Sequence, residues 1–167
     1  MAFFSTSVQI CCISSHPGGG NIVQIPDYHG EIIDWDELFK QRNVMREGIK
    51  NGIIPEKCTG CYYLKENEWN SEDYIDEVLI GHWTHCNCNC VYCYTEKDKK
   101  FFNANKTYNV YPVIKDMIEK GILSKNATIT FGGGEPTILN EFEELVYMLI
   151  DYDVHNIRIH SDGIKYS

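Results

Sequence analysis

Residues 81–94 read Gly81-His82-Trp83-Thr84-His85-Cys86-Asn87-Cys88-Asn89-Cys90-Val91-Tyr92-Cys93-Tyr94. Within this stretch Cys86, Cys90 and Cys93 have the spacing Cys-x3-Cys-x2-Cys, which lets three thiolates from one tight loop bind a single iron–sulfur cluster. A [4Fe–4S] cluster ordinarily takes four cysteines, so three cysteines leave one iron open to a ligand that is not protein. Cys88 lies outside this spacing, although the sequence alone also allows a Cys-x-Cys-x-Cys register.

The residues around the cysteines, and a second motif downstream, extend the pattern. Thr84 precedes the first cysteine by two positions, Asn87 follows it, and Tyr92 and Tyr94 flank the third. The glycine-rich turn lies directly after a strand-like run and reads Gly132-Gly133-Gly134-Glu135-Pro136. Together the two motifs resemble those of the radical SAM superfamily, whose Gly-Gly-Glu motif ends the second strand of the barrel.

The resemblance implies two cofactors, a [4Fe–4S] cluster and S-adenosyl-L-methionine (SAM). In that family SAM chelates the open iron through its amino and carboxylate groups. One electron, supplied by a reductant such as flavodoxin or ferredoxin, then cleaves a carbon–sulfur bond to give a 5′-deoxyadenosyl radical. The implied cluster ligands are Cys86, Cys90 and Cys93. The implied cofactor-binding residues are Tyr92, Gly133, Gly134, Glu135 and Ser161.

Each cofactor-binding position also has an ordinary structural interpretation. By resemblance, Gly133, Gly134 and Glu135 meet the ammonium group of SAM, because glycines let the backbone approach closely and a carboxylate complements positive charge. The alternative is a plain glycine-rich turn between a strand and a helix. Tyr92 is expected near the adenine or as a packing aromatic. Ser161 begins a Ser-Asp-Gly run that matches a Thr-Asn-Gly turn of relatives or is a simple turn.

A second group of cysteines lies nearer the amino terminus. Cys11 and Cys12 end a strand-like run, and Cys58 and Cys61 follow a helix expected from about Trp35 to Lys50. This order resembles the SPASM or twitch module, which binds an auxiliary iron–sulfur cluster, although here it precedes the barrel. A zinc ribbon is the alternative, because the same cysteines suit tetrahedral zinc. We expect Cys58 and Cys61 as ligands, with one or both of the earlier pair.

The second half of the chain alternates between strands and helices. Strands are predicted at 76–83, 127–131 and 156–160, with helices at about 108–120 and 139–152, whose apolar residues recur with helical spacing. Such units predict a parallel sheet with right-handed connections. The expected fold class is α/β, an incomplete radical SAM (β/α) barrel of about three parallel strands and two helices, preceded by a small α+β cysteine-rich module.

Three segments are expected: the auxiliary module at 1–65, a linker at 66–75, and the first half of the partial barrel at 76–167. A six-stranded barrel built from units of roughly 30 residues needs about 180 residues, more than the last segment supplies. We therefore expect a fragment of a longer enzyme, a naturally truncated product, or half of an assembly that a second chain completes.

Composition narrows the class of protein. The chain has 167 residues, of which 43% are hydrophobic and 23% charged, as in soluble globular proteins. A net charge of −9 argues against binding to nucleic acid or anionic membranes. No apolar run reaches the roughly 18 residues of a membrane span, and the first residues lack the features of a secretion signal. The eight clustered cysteines indicate metal binding in a reducing compartment, so we expect a cytoplasmic protein.

Two classes of function remain open. The first is a radical SAM oxidoreductase or maturase, which by analogy with SPASM-type relatives modifies a peptide or protein. The second is a non-catalytic protein that holds an iron–sulfur cluster or zinc and serves as an electron carrier or interaction module. Continuation beyond Ser167 with three more βα units would favour the enzyme.

Overall fold

A computed structural model describes residues 1–4, 7–10, 23–61, 64, 73–83, 85–88, 90–93 and 108–163. The described strands are β1 (Ala2–Phe4), β2 (Ser7–Gln9), β3 (Gln24–Pro26), β4 (Ile75–Ile80), β5 (Leu123–Phe131) and β6 (Asn156–Ile159). The described α-helices are α1 (Trp35–Lys50), α2 (Tyr111–Glu119) and α3 (Phe142–Asp151). None of these helices is long and apolar enough to cross a membrane.

The six described strands form one mixed sheet in the order β3-β2-β1-β4-β5-β6. Strands β1, β4, β5 and β6 run parallel, whereas β2 and β3 are antiparallel to their neighbours. Val78 of β4 pairs with Ile129 of β5, which in turn pairs with Ile157 of β6. The carboxyl ends of β4, β5 and β6 therefore lie together at one edge of the sheet.

The expected α/β class is confirmed in its main feature, since among the residues described from 75 onward the parallel strands β4, β5 and β6 alternate with helices α2 and α3. The amino-terminal strands, however, do not form a sheet of their own. Phe3 and Val8 are almost completely buried, and β1 pairs in parallel with β4, so β1–β3 extend the same sheet. Strand β1 was not predicted. The division into segments 1–65, 66–75 and 76–167 stays a prediction.

Helix α1 has the predicted bounds and is hydrogen-bonded to helix α2. Asp34 caps it, because its carboxylate accepts a hydrogen bond from the Glu37 N–H at 3.1 Å. Trp35 donates its indole N–H to the Asp116 carboxylate of α2 at 2.6 Å. This bond connects the helix that precedes β4 to the helix that follows it.

Helices α2 and α3 bury one apolar face each. The fully buried side chains are Val113, Ile114, Met117, Leu145 and Leu149. Ile150 directly follows the buried Leu149 and is also apolar, but its side chain is 55% exposed. It lies at i+8 from Phe142, where the helical rotation has already carried it beyond the edge of the buried stripe.

The contrast between Leu149 and Ile150 gives a direct test of this helix orientation. Replacing Leu149 with alanine leaves a cavity in the core and should lower the free energy of unfolding by about 2–5 kcal/mol. Replacing Ile150 with alanine should change it by about 0.5 kcal/mol or less. Urea denaturation of both variants measures the difference. Equal losses would mean that α3 is rotated from the orientation described.

Candidate functional site

The segment that leads into the cysteine loop is anchored before the first cysteine. Gly81 donates its N–H to the Phe3 carbonyl at 3.1 Å, and Trp83 donates its indole N–H to the Glu135 carbonyl at 3.3 Å. His82 and Trp83 are 0% and 1% exposed. The loop therefore leaves the end of β4 from a firmly packed base.

The three predicted ligands lie within residues 86–93. Cys86 is exposed, whereas Cys90 and Cys93 are half-buried, and the Cys93 N–H donates to the Cys90 carbonyl at 3.0 Å to form a tight turn. Between them Val91 and Tyr92 are 91% and 81% exposed. Tyr92, predicted near adenine, thus lies at the tip of the loop.

The donor set suits an iron–sulfur cluster. Three thiols in one surface loop are the ligands that such clusters take. The Cys86 sulfur also accepts a hydrogen bond from the Cys88 N–H at 3.4 Å. In the parts of the chain that the structure describes, no three His, Cys, Asp or Glu side chains are already grouped as a metal site.

Cys88 makes a different contact. Its thiol donates to the Asp162 carboxylate beyond β6 at 3.1 Å, and this hydrogen bond, with burial and nearby charges, raises the pKa of Cys88 to about 11. The Cys88 sulfur is therefore engaged with the end of β6. This contact favours the Cys-x3-Cys-x2-Cys register over the alternative that includes Cys88.

The glycine-rich turn packs directly on the base of the cysteine loop. Gly134 donates its N–H to the Trp83 carbonyl at 3.0 Å, and Glu135 donates its N–H to the His85 carbonyl at 2.9 Å. Gly133 has a φ of +88°, and a Cβ there would lie 2.5 Å from the Trp83 carbonyl oxygen. The close approach that requires glycine at this position is made by the protein's own loop, and contact of Gly133 with SAM stays a prediction.

Glu135 joins the ends of β5 and β6. Its Oε1 accepts hydrogen bonds from the Thr137 N–H at 3.0 Å, the Thr137 hydroxyl at 2.6 Å and the Ser161 hydroxyl at 2.9 Å. Its Oε2 accepts one from the Asp162 N–H at 2.7 Å. Burial to 2% exposure raises the pKa of Glu135, but these bonds outweigh it and hold the pKa below its usual value. Glu135 and Ser161, both predicted as cofactor-binding, are therefore in contact.

The second group of cysteines is only partly described. Cys58 and Cys61 are half-buried, and the Cys61 N–H donates to the Cys58 carbonyl at 3.0 Å across a turn that contains Gly60 at a φ of +74°. The turn joins two cysteines at the Cys-x-x-Cys spacing that zinc and iron–sulfur sites use. Cys11 and Cys12 lie outside the described residues, so the second ligand set stays a prediction.

His82 is a buried polar residue that the sequence did not single out as functional. Its ring packs edge-on against Trp83 and at a small angle on Tyr108, with ring centroids 4.8 and 4.7 Å apart. Its Nε2 lies 3.8 Å from the Glu141 carboxylate, too far for a hydrogen bond, although this proximity lowers the pKa of Glu141. Its place directly after a strand does not by itself predict these contacts, because Tyr108 and Glu141 are distant in the sequence.

Substitution of two adjacent glycines tests the packing of the turn on the loop. Gly133→Ala should lower the free energy of unfolding by about 1–3 kcal/mol or more, because alanine is strained at this φ and its methyl group meets a backbone oxygen. Gly132→Ala is the matched control, since its Cβ would meet only the Leu79 side chain at an ordinary 3.5 Å. Urea denaturation compares them. A tolerated Gly133→Ala would contradict the described contact.

The lowered pKa of Glu135 predicts a pH dependence. A folded-state pKa below the unfolded value of about 4.3 means that the stabilisation is present above that pH and is lost as the pH falls through the folded pKa. Glu135→Gln should therefore lower the free energy of unfolding at pH 7 by about 1–3 kcal/mol and by progressively less in acid. Urea melts from pH 7 to pH 3 measure the change, with the exposed Glu144→Gln as control. A pH-independent difference would be inconsistent with a buried carboxylate.

The sequence was compared with protein families, with curated proteins and with solved structures. Residues 80–167 match the radical SAM superfamily. A 7,8-dihydro-6-hydroxymethylpterin dimethyltransferase of Methanocaldococcus jannaschii is 34% identical over 156 residues, an alignment that covers 82% of this chain and 28% of that protein. The chain thus spans less than a third of that relative's length, and no solved structure matches significantly. The matched region holds the cysteine loop, the glycine-rich turn and β6, and the chain belongs to the radical SAM superfamily.

Proposed function

We propose that this chain carries the cluster and SAM site of a radical SAM enzyme. Cys86, Cys90 and Cys93 would hold a [4Fe–4S] cluster with one iron left open to SAM. When bound and reduced, the cluster would supply the electron that breaks a carbon–sulfur bond of SAM to give methionine and the 5′-deoxyadenosyl radical. The electron comes from a reductant such as flavodoxin or ferredoxin.

The single observation that carries the proposal is the meeting of three motifs at one edge of the sheet. The cysteine loop leaves β4, the glycine-rich turn leaves β5 and hydrogen-bonds to the base of that loop, and Ser161 follows β6 and bonds to Glu135. Active sites of parallel β/α enzymes lie at the carboxyl ends of the strands. The chain's own groups thus form a connected surface around the place where the cluster would be held.

The residues of this surface have different tasks in the proposal. The exposed Tyr92 provides an aromatic face for the adenine at the tip of the loop. The backbone of Gly133 and Gly134 fixes the turn against the loop, and Ser161 holds the end of β6 in place. The buried Trp83 closes the base of the site and excludes water from it.

The substrate has two candidates. A peptide or protein is the substrate expected from the SPASM-like cysteine order. The similarity to a dihydropterin dimethyltransferase favours a second candidate, a reduced pterin that receives methyl groups.

Fluorescence titration of the cluster-loaded chain with 7,8-dihydro-6-hydroxymethylpterin tests the second candidate, with an unrelated purine as control. Absence of specific binding would leave the peptide candidate.

The proposal also includes a second metal site near the amino terminus and further strands that would complete the barrel. Cys58 and Cys61, with one or both of Cys11 and Cys12, would hold a second iron–sulfur cluster or a zinc ion. Further strands, in the same polypeptide or in a second chain, would continue the parallel sheet at β6. Iron and zinc analysis of the purified protein separates the two metals.

Electron paramagnetic resonance of the anaerobically reconstituted, dithionite-reduced protein tests the proposed cluster. A [4Fe–4S] signal that shifts on addition of SAM is expected from the wild type. Cys90→Ala should abolish the SAM-responsive signal and leave any signal of the amino-terminal cysteines. Cys88→Ala is the matched control in the same loop and should retain the shift. Loss of the response in Cys88→Ala but not in Cys90→Ala would overturn the ligand assignment.

A further inference from the structure

We propose that the groove between β3 and α1 binds an extended peptide that presents a lysine or arginine side chain beside apolar side chains. This groove begins at the edge of the sheet that also carries the cysteine loop. The inference deepens the peptide candidate for the substrate, and it rests on the proposed function only where the bound peptide is named as that substrate.

The groove consists of two adjoining pockets along one side of α1. The first has a volume of about 370 Å³ and lies between α1, β3 and the segment that follows β3. The second has a volume of about 480 Å³. Glu37 and Gln41 line both pockets, so the two are continuous. From Asp34 to Met45 the chain of α1 advances about 16 Å, the length of roughly five residues of extended peptide.

The first pocket is acidic. Among the described residues that line it, Asp27, Glu31, Asp34 and Glu37 carry carboxylates, and none is a lysine, arginine or histidine. Glu37 is paired with Lys40 at 3.3 Å, but Asp34 and Glu31 each accept a backbone N–H, whereas a carboxylate has about four lone-pair sites. Acceptor sites therefore remain for the ammonium or guanidinium group of a ligand. The charge of this pocket complements a cationic side chain and disfavours an acidic one.

Apolar side chains continue the groove from this acidic end. The buried Ile33 and Leu38 and the exposed Ile32 line the first pocket. In the second pocket Val44 is 69% exposed and lies beside Pro55 in the lining. Covering exposed apolar surface is favourable, because it removes that surface from water. A small cation would leave this surface in water, whereas a peptide covers both halves of the groove.

The acidic wall is fixed to the core before any ligand binds. Tyr28 is almost completely buried and donates its hydroxyl to the Glu31 carbonyl at 2.6 Å. Its ring packs edge-on against Tyr108 with ring centroids 5.0 Å apart, and Tyr108 packs in turn on His82 at the base of the cysteine loop. Asp34 caps α1 on the other side of the pocket. Because the groove is preformed, a peptide that binds there loses less free energy to ordering the protein.

The acidic end of the groove lies at the same edge of the sheet as the cysteine loop. Strand β3 is antiparallel to β2, and β2 is antiparallel to β1, which is parallel to β4, so β3 and β4 point the same way. Asp27 directly follows β3, as Gly81 directly follows β4. The order β3-β2-β1-β4 separates the two strands by about 14 Å, or roughly four residues of extended chain. A peptide bound in the groove can therefore extend to the cysteine loop.

Fluorescence anisotropy on the anaerobically reconstituted chain tests the groove with two rhodamine-labelled peptides that have blocked ends. The basic probe is Gly-Arg-Lys-Val-Leu-Gly, and the matched acidic probe is Gly-Glu-Asp-Val-Leu-Gly. The basic probe should bind about tenfold or more tightly than the acidic one, because only its charges complement the carboxylates. Its affinity should fall when salt is raised from about 50 to about 300 mM, since exposed charges are screened.

A double variant tests the acidic end of the groove. Asp27→Asn with Glu31→Gln removes two carboxylates but keeps their side-chain carbonyl oxygens, and asparagine tolerates the φ of +49° at position 27. This variant should weaken binding of the basic probe by about fivefold or more. Glu144→Gln with Asp151→Asn is the matched control, because it removes two exposed charges from α3 and should leave the affinity unchanged.

A single variant tests the apolar half. Val44→Gln should weaken binding of the basic probe by about threefold or more, because it removes an apolar contact, and should leave the urea midpoint near that of the wild type. Ile150→Gln is the matched control, since it changes an exposed apolar residue on α3, away from the groove.

The outcomes separate the groove from the proposed function. Equal affinity for the two probes, or unchanged affinity in either groove variant, would overturn the inference. A wild-type dimer in size-exclusion chromatography that Val44→Gln dissociates would also overturn it, because a second copy of the chain would then occupy the groove. Binding of the basic probe without a SAM-responsive cluster signal would instead retain the groove and overturn the proposed function.

Discussion

The buried carboxylate of Glu135 is the interaction on which the site depends. Through its side chain it accepts four hydrogen bonds from residues after β5 and β6, and through its backbone it contacts Trp83 and His85 after β4. Three strand ends that are far apart in sequence therefore meet at one residue. The geometry of the candidate site follows from this junction as much as from the cysteines.

Much of the local structure could be predicted from the sequence. Helix α1 was expected from Trp35 to Lys50, and the structure has those bounds, because an aspartate cap and a following glycine mark both ends. The parallel order of β4, β5 and β6 followed from the alternation of strand and helix patterns. Helix caps and apolar periodicity depend only on residues that are close in the sequence, so the sequence alone reveals them.

Contacts between distant segments were not predictable in the same way. Strand β1 is only three residues long, too short to show a periodicity, and it is stabilised by pairing with β4, 77 positions later. The need for glycine at position 133 comes from the carbonyl of Trp83, which no local pattern reveals. The contact of Cys88 with Asp162 likewise joins residues 74 positions apart.

The close packing at Gly133 has a consequence for motion. Because the base of the cysteine loop and the glycine-rich turn share backbone hydrogen bonds and leave no space for a methyl group, neither can shift without the other. They belong to one cooperative unit with β4 and β5. If the loop binds a cluster as proposed, any rearrangement would then fall in the part of the loop that follows this base and contains Cys86, Cys90 and Cys93. The candidate site thus has a rigid base, formed by the glycine-rich turn and the start of the cysteine loop, and a more adaptable segment that carries the cysteines.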